Sequence, residues 1–245
     1  MATEIGNLRV TRRPFARSHL GAPANSPWID QSRAGLAAKR GVDLILGTAL
    51  AALAVPVILV LAVAMAGSLR EWPFFVQIRI GRDGRPFRFV KLRTLPRSTP
   101  AYVNKYQVAN VETSRLGRFL RKTHFDELPQ LLLVPLGRMS LVGPRPEMPP
   151  LHRLYDPQFA QLRATVRPGC TGLWQLSTEC HRLIPESPEF DLLYLRRMST
   201  RLDLWVLWRT VLRMFGLGRL LALSDLSSVT LGRQTTQAAE LELST

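Results

Sequence analysis

The chain has little cysteine and few acids. Only Cys170 and Cys180 occur among its 245 residues. No secretory-type pattern precedes them, so a disulfide framework is excluded and both are expected as reduced thiols. With His181 they form one weak ligand set, lacking a second paired-cysteine or paired-histidine motif, and no zinc site is assigned. Asp and Glu number 18 against 33 Lys and Arg, a formal net charge of +15. Such a surface attracts anions: nucleic acid, acidic headgroups or phosphorylated small molecules. Nucleic acid is set aside, because no helix-turn-helix, RNP or zinc-finger pattern is present and a long apolar run fits that role poorly.

What is there is enough for a core. Hydrophobic residues make up 46% of the sequence and mean hydropathy is +0.03, so one sizeable folded unit is expected. Residues 1–32, rich in Arg, Ser, Pro and Ala without apolar periodicity, read as a flexible polar arm, and residues 225–245 as a polar tail. From Leu44 to Ala66 the run LILGTALAALAVPVILVLAVAMA carries no charge. At ~1.5 Å per residue, a helix of this length matches the ~30 Å hydrocarbon core of a bilayer. It lies far from the N-terminus and lacks a small-residue cleavage site, which argues against a removable signal peptide.

Two features complicate a simple span. Pro56 sits at its middle, where a kink or break is expected. Arg33, Lys39 and Arg40 precede the run, while Arg70, Arg79, Arg82 and Arg85 follow it. The positive-inside rule therefore asks for both flanks on the cytoplasmic side. A re-entrant membrane helix over residues 33–69, broken at Pro56, meets both demands; an ordinary kinked transmembrane helix is the alternative. Asp43 is expected near the headgroups, paired with Lys39 four residues earlier.

Residues 70–224 form the remaining domain. Alternation on either side of a Gly-Arg-Asp-Gly turn predicts a small β-hairpin, Phe74 to Ile80 and Pro86 to Leu92. Residues 97–112 are polar and irregular and read as a mobile loop. The segment SRLGRFLRKT places Leu116, Phe119 and Leu120 on one helical face with arginines around the other. LVGPRPEMPP is too proline-rich for a helix and reads as an extended, rigid loop. Residues 189–215 interleave Leu, Trp, Val and Phe with arginines, as interfacial amphipathic helices or as core helices with snorkelling arginines.

Between the basic helix and the proline-rich loop lies THFDELPQLLLV, with adjacent acids Asp126 and Glu127. Asp is a favoured N-cap and Pro is tolerated in a first turn, so a short helix is predicted to start at Asp126 and stop before Pro135. The bland reading makes Asp126 a cap and Glu127 a first-turn acid. The chemical reading starts from the free N–H groups and positive dipole end that keep Asp126 ionised where a phosphate could approach. A carboxylate beside Mg²⁺ can attack phosphorus, and Mg²⁺ needs only one or two carboxylates plus phosphate oxygens. Lys91, Arg93, Arg121 and Arg145, the last held between Pro144 and Pro146, are candidates to neutralise the phosphate charge.

The stretches PFFVQIRIGRDGRPFRFVKLRT, LGRFLRKTHFDELPQL, MSLVGPRPEMP and VRPGCTGLWQ follow in the order and approximate spacing of the bacterial sugar transferases, the monotopic phosphoglycosyl transferases. The resemblance covers about residues 36–216. It implies a compact α/β domain anchored by a proline-broken re-entrant helix on the cytoplasmic face of the bacterial membrane. It further implies Mg²⁺-dependent transfer of sugar 1-phosphate from a nucleotide sugar, usually UDP-linked, to undecaprenyl phosphate, opening polysaccharide or glycoconjugate assembly. In that scheme Asp126 is the nucleophile, Glu127 its partner acid and co-ligand of the metal, and Pro144, Arg145 and Gln175 fall in substrate-binding motifs. The chain departs from the family's usual residues at Leu133, Pro135 and Arg138, and in LSTECHR after Gln175; the sugar is not legible. A non-catalytic basic membrane scaffold is the rival reading, and an oligomer is compatible with either.

Overall fold

The computed structural model describes residues 2–5, 8–11, 33–102, 105–108 and 111–226. An uncharged run has one economical way to satisfy its backbone away from water, and it takes it: helix α1 extends from Arg33 to Leu69. Pro56 lies inside α1 without ending it, where a break was expected. The ring removes one backbone hydrogen bond, but Ala54 and Ile58 beside it are buried against the domain and hold the two halves on one surface.

That surface is a stripe. Asp43, Gly47, Ala51, Ala54, Ile58, Ala62 and Met65 are buried at spacings of three and four, the rhythm of one helical face. Small residues let α1 approach closely; a Cβ on Gly47 would meet the Val134 side chain at 2.5 Å. The opposite face stays bare, with Ile45, Leu53, Val60 and Val63 at least 69% exposed. At its N-terminal end α1 is tied by charge. The Lys39 ammonium donates to Asp203 at 2.6 Å and lies 3.8 Å from Asp43, the pairing expected. Asp43 itself is buried in the domain: its carboxylate accepts from Ser140 Oγ and Leu141 N–H.

The hairpin forms as predicted. Strand β3, Phe74–Ile80, pairs antiparallel with β4, Pro86–Leu92, from Phe74 opposite Leu92 to Ile80 opposite Pro86. Asp83 and Gly84 take the positive φ values the turn needs. In the polar arm, residues 2–5 and 8–11 pair as a hairpin, β1 with β2, against the irregular arm expected; these segments carry β-branched Thr3, Ile5, Val10 and Thr11, which favour strands. The rest of the arm, and the tail beyond residue 226, lie outside the described residues. Leu226, the last described residue, is 1% exposed in the core. Within residues 97–112, helix α2, Lys105–Val108, forms one turn where only loop was expected.

Helix α3, Arg115–Thr123, is capped by the Ser114 side chain accepting from Gly117 N–H. A 3₁₀ helix, Phe125–Leu133, follows. Strand β5, Ser140–Val142, runs parallel to β6, Gly169–Thr171. The proline-rich segment is extended only as far as Met148, because Pro149 and Pro150 open helix α4, Pro149–His152; proline is compatible with a first turn, whose N–H groups lack partners anyway. Helices α5 (Pro157–Ala164), α6 (Leu173–Leu176), α7 (Glu189–Arg197) and α8 (Thr200–Met214) complete the domain. The expectation of interfacial helices divides between the last two. Helix α7 is a core helix, burying Phe190, Leu192, Tyr194 and Leu195. Helix α8 buries Leu202 and Val206 but exposes Leu204, Trp208 and Val211, with Phe215 just beyond its end.

Candidate active site

Helix α3 ends where His124 adopts a left-handed conformation, φ 59°. His tolerates this region better than most residues, and the reset starts a new helix in a new direction. His124, not Asp126, is therefore the N-terminal cap, and Asp126 and Glu127 both fall in the first turn. Pro129, lacking an N–H, lies farther in, and the segment winds as 3₁₀ rather than the expected α-helix. A 3₁₀ run of this length is uncommon and marks a constrained segment.

The two acids have opposite surroundings. Glu127 is gripped by Arg145, whose Nη2 donates to Oε1 at 2.6 Å and Nη1 to Oε2 at 3.2 Å. Burial alone would raise the Glu127 carboxyl, but the Arg145 guanidinium outweighs it and holds the group well below the usual carboxylate range. Asp126 is 5% exposed. Burial, reinforced by the charge on Glu127, pushes it up to about 6, against the pull of Lys91, Arg145 and Arg121.

Both acids open into a cavity of about 380 Å³. Lys91, Arg93, Arg121, Arg145 and Gln175, the substrate-binding residues singled out in the sequence, all line it. Strand β4 brings Lys91, whose ammonium is pulled down by burial while Asp126 and Glu127 oppose the fall. Lys91 and Arg93 share the Phe75 ring, at 5.4 and 5.7 Å from its centroid. Pro144 is the exception: it faces a smaller cleft behind Arg145, and its carbonyl accepts from Gly169 N–H. This second contact needs glycine, because a Cβ on Gly169 would sit 2.1 Å from the Gly143 nitrogen. The loop carrying Arg145 is thereby seated on β6. Gln175 presents an amide whose oxygen and nitrogen are both buried without a protein partner.

Several lining residues were missed. Phe75, Gln77 and Arg79 line the cavity together, and the two-residue alternation of β3 contains that signal. Arg79 is lowered to about 10 by burial, with Glu147 opposing, and its Nε has no partner. His124, Arg182 and Arg213 also reach the cavity; no local pattern announces them. Of the departures, Leu133, Pro135 and Arg138 are absent from the wall, whereas Cys180 and Arg182, from the LSTECHR segment, form part of it.

The donor set is all oxygen at the acids, and Cys170 and Cys180 are not joined in a disulfide. Among the described residues no group of three His, Cys, Asp or Glu gathers. An ion that takes one or two carboxylates and completes its shell with phosphate and water still fits the adjacent acids, since a carboxylate paired to arginine keeps further lone pairs.

Comparison with known proteins identifies the family. The bacterial sugar transferase family matches residues 34–216, from α1 to just beyond α8. A UDP-glucose:undecaprenyl-phosphate glucose-1-phosphate transferase of Caulobacter vibrioides is 37% identical over 182 residues, 71% of this chain and 68% of that protein. A Klebsiella pneumoniae protein of the same description is 35% identical over 185 residues, 72% of this chain but 40% of that protein. An Aeromonas hydrophila UDP-N-acetylgalactosamine-undecaprenyl-phosphate N-acetylgalactosaminephosphotransferase is 31% identical over 182 residues, 71% of this chain and 42% of that protein. The chain thus spans about two fifths of the length of the latter two. The family match over most of the sequence, with the acid pair and its arginine loop at the wall of one cavity, shows that the chain belongs to the bacterial sugar transferase family.

Proposed function

We propose that this chain transfers a sugar 1-phosphate from a UDP-linked donor to undecaprenyl phosphate through a covalent intermediate on Asp126. The observation that carries the reading is the asymmetry of the acid pair. Glu127 is committed to Arg145, whereas the Asp126 carboxylate faces a cavity walled by Lys91, Arg93, Arg121 and Arg145. Two relatives of the chain are transferases acting on undecaprenyl phosphate.

In the first step an Asp126 carboxylate oxygen attacks the phosphorus bearing the sugar. An acyl-phosphate bond forms, the bond to the bridging oxygen breaks, and uridine monophosphate leaves with that electron pair. In the second step an oxygen of undecaprenyl phosphate attacks the same phosphorus and returns Asp126 to its carboxylate. Arg145, Lys91 and Arg121 hold the phosphate oxygens and disperse the charge on them. Asp126 and Glu127 would hold magnesium, which supplies further charge neutralisation at the phosphates.

The membrane reading has its own support. Helix α1 is long and apolar enough to cross a membrane, with a mean hydropathy of 2.7 over its most apolar stretch. Yet Lys39 near one end and Met65 near the other both touch the same domain. A helix so tied has both ends on one side, and the cationic flanks support the cytoplasmic face as that side. Its bare apolar face, with the exposed stripe of α8, supplies the surface for the bilayer.

The test is the half-reaction. Purified protein incubated with UDP-glucose, UDP-galactose and UDP-N-acetylhexosamines in turn, with magnesium and without acceptor, is expected to release uridine monophosphate once per active site from the correct donor. Chelation should stop the release and magnesium should restore it. A protein that releases nothing until undecaprenyl phosphate is added does not use a covalent intermediate. One that releases nothing in either case is a scaffold.

A further inference from the structure

Behind the arginine loop lies a buried charge that neither lines the cavity nor takes part in the transfer. Arg163, on α5, is 8% exposed. Its Nε donates to Asp191 Oδ2 on α7 at 2.8 Å, and its Nη2 donates to the backbone carbonyl of Arg145 at 2.7 Å. The guanidinium is stacked over the rings of Tyr155 and Phe159, at 4.8 and 5.7 Å. Asp191 is 2% exposed.

A buried ion pair is a poor device for stability alone, since apolar residues of similar size commonly serve as well. What this pair provides is direction. A guanidinium is planar and offers several donors at fixed angles; with one edge held by Asp191, another is aimed at the Arg145 carbonyl. A parallel brace stands beside it: Tyr155 Oη donates to Glu147, which also accepts from Arg79. The loop is thus clamped at its backbone while the Arg145 side chain reaches Glu127.

We propose that Arg163, oriented by Asp191, is a positioning residue for transfer: it fixes the Arg145 backbone so that the Arg145 fork closes on Glu127 and leaves Asp126 unpaired. The proposal rests on the transferase reading above. Arg163→Lys keeps the charge and can still meet Asp191, but a single ammonium lacks the second edge aimed at the carbonyl.

Two measurements test it. In the first, hydrogen exchange of residues 143–148 is followed in the whole protein. Arg163→Lys is expected to speed exchange in this segment at least ~10-fold while β3 and β4 stay protected. In the second, uridine monophosphate release is measured for Arg163→Lys, Arg145→Lys and the double variant. Arg163→Lys should lower kcat about 10-fold in the wild-type background and less than about 2-fold once Arg145 is lysine, because both changes remove the same alignment. Unchanged exchange in the loop, or an Arg163→Lys effect that multiplies in full on Arg145→Lys, overturns the proposal. If Arg163→Lys does not fold, Asp191→Asn, which keeps shape and an acceptor, takes its place with the same two criteria. The exchange measurement needs no turnover, so absence of donor cleavage in the wild type would count against the transferase reading and not against the clamp.

Discussion

Arg145 holds Glu127 by both ends of its guanidinium, at 2.6 and 3.2 Å, while the adjacent Asp126 is left facing the cavity. One pair of neighbouring acids is thereby split into a fixed group and an available one. The split depends on a planar fork. Arg145→Lys retains the charge but contacts one oxygen at a time, and turnover is expected to fall by about 1 to 3 kcal/mol in barrier, roughly 5- to 150-fold. Steady-state kinetics with the preferred donor measures it. Near-normal turnover with lysine would reduce Arg145 to a structural cation.

Asp126→Asn retains size and keeps His124 as the helix cap, so the protein should fold and melt near the wild-type temperature. The half-reaction should vanish. Intact-protein mass spectrometry after donor incubation is expected to show a sugar-phosphate adduct on the wild type and none on Asp126→Asn. An adduct mapped to another residue removes Asp126 from the nucleophile's role.

The Gln175 amide has an orphaned donor and an orphaned acceptor in the cavity wall. Leaving such groups unpaired costs about 1 to 3 kcal/mol, so replacing them by an apolar side chain of similar size should not destabilise the protein. Gln175→Leu is expected to leave the melting temperature unchanged or raise it, and to raise the donor KM at least ~10-fold through loss of hydrogen bonds to the substrate. A variant with an unchanged KM would show that the amide does not contact the donor.

Helix α1 makes a topological prediction. Single cysteines at exposed Ala37 and Ser98, in a background lacking Cys170 and Cys180, should both resist an impermeant maleimide in intact cells and both react once the membrane is opened. Labelling of Ala37→Cys alone from outside would make α1 an ordinary span.

Local chemistry made much of this molecule legible. The hairpin registers in its sequence because strand alternation and the Gly-Arg-Asp-Gly turn are short-range signals. Lys91, Arg93, Arg121 and Arg145 were legible as cations to set around the acids, the resemblance to a known family added Gln175, and all five line the cavity. Asp126 as a cap failed because the left-handed turn fell on His124, a residue with no strong signal for it. Pro56 failed as a break because packing on both sides of it outweighed one lost hydrogen bond.

By itself the sequence determined the apolar helix, the hairpin, the excess of cations and the adjacency of Asp126 and Glu127, since each depends on residues near one another along the chain. Only the tertiary structure decided which acid is free. That choice comes from Arg145, eighteen positions beyond Glu127, on a loop seated by Gly169 and clamped by Arg163 and Asp191 from two further helices. Charge placement at this range is set by packing, and no local periodicity encodes it.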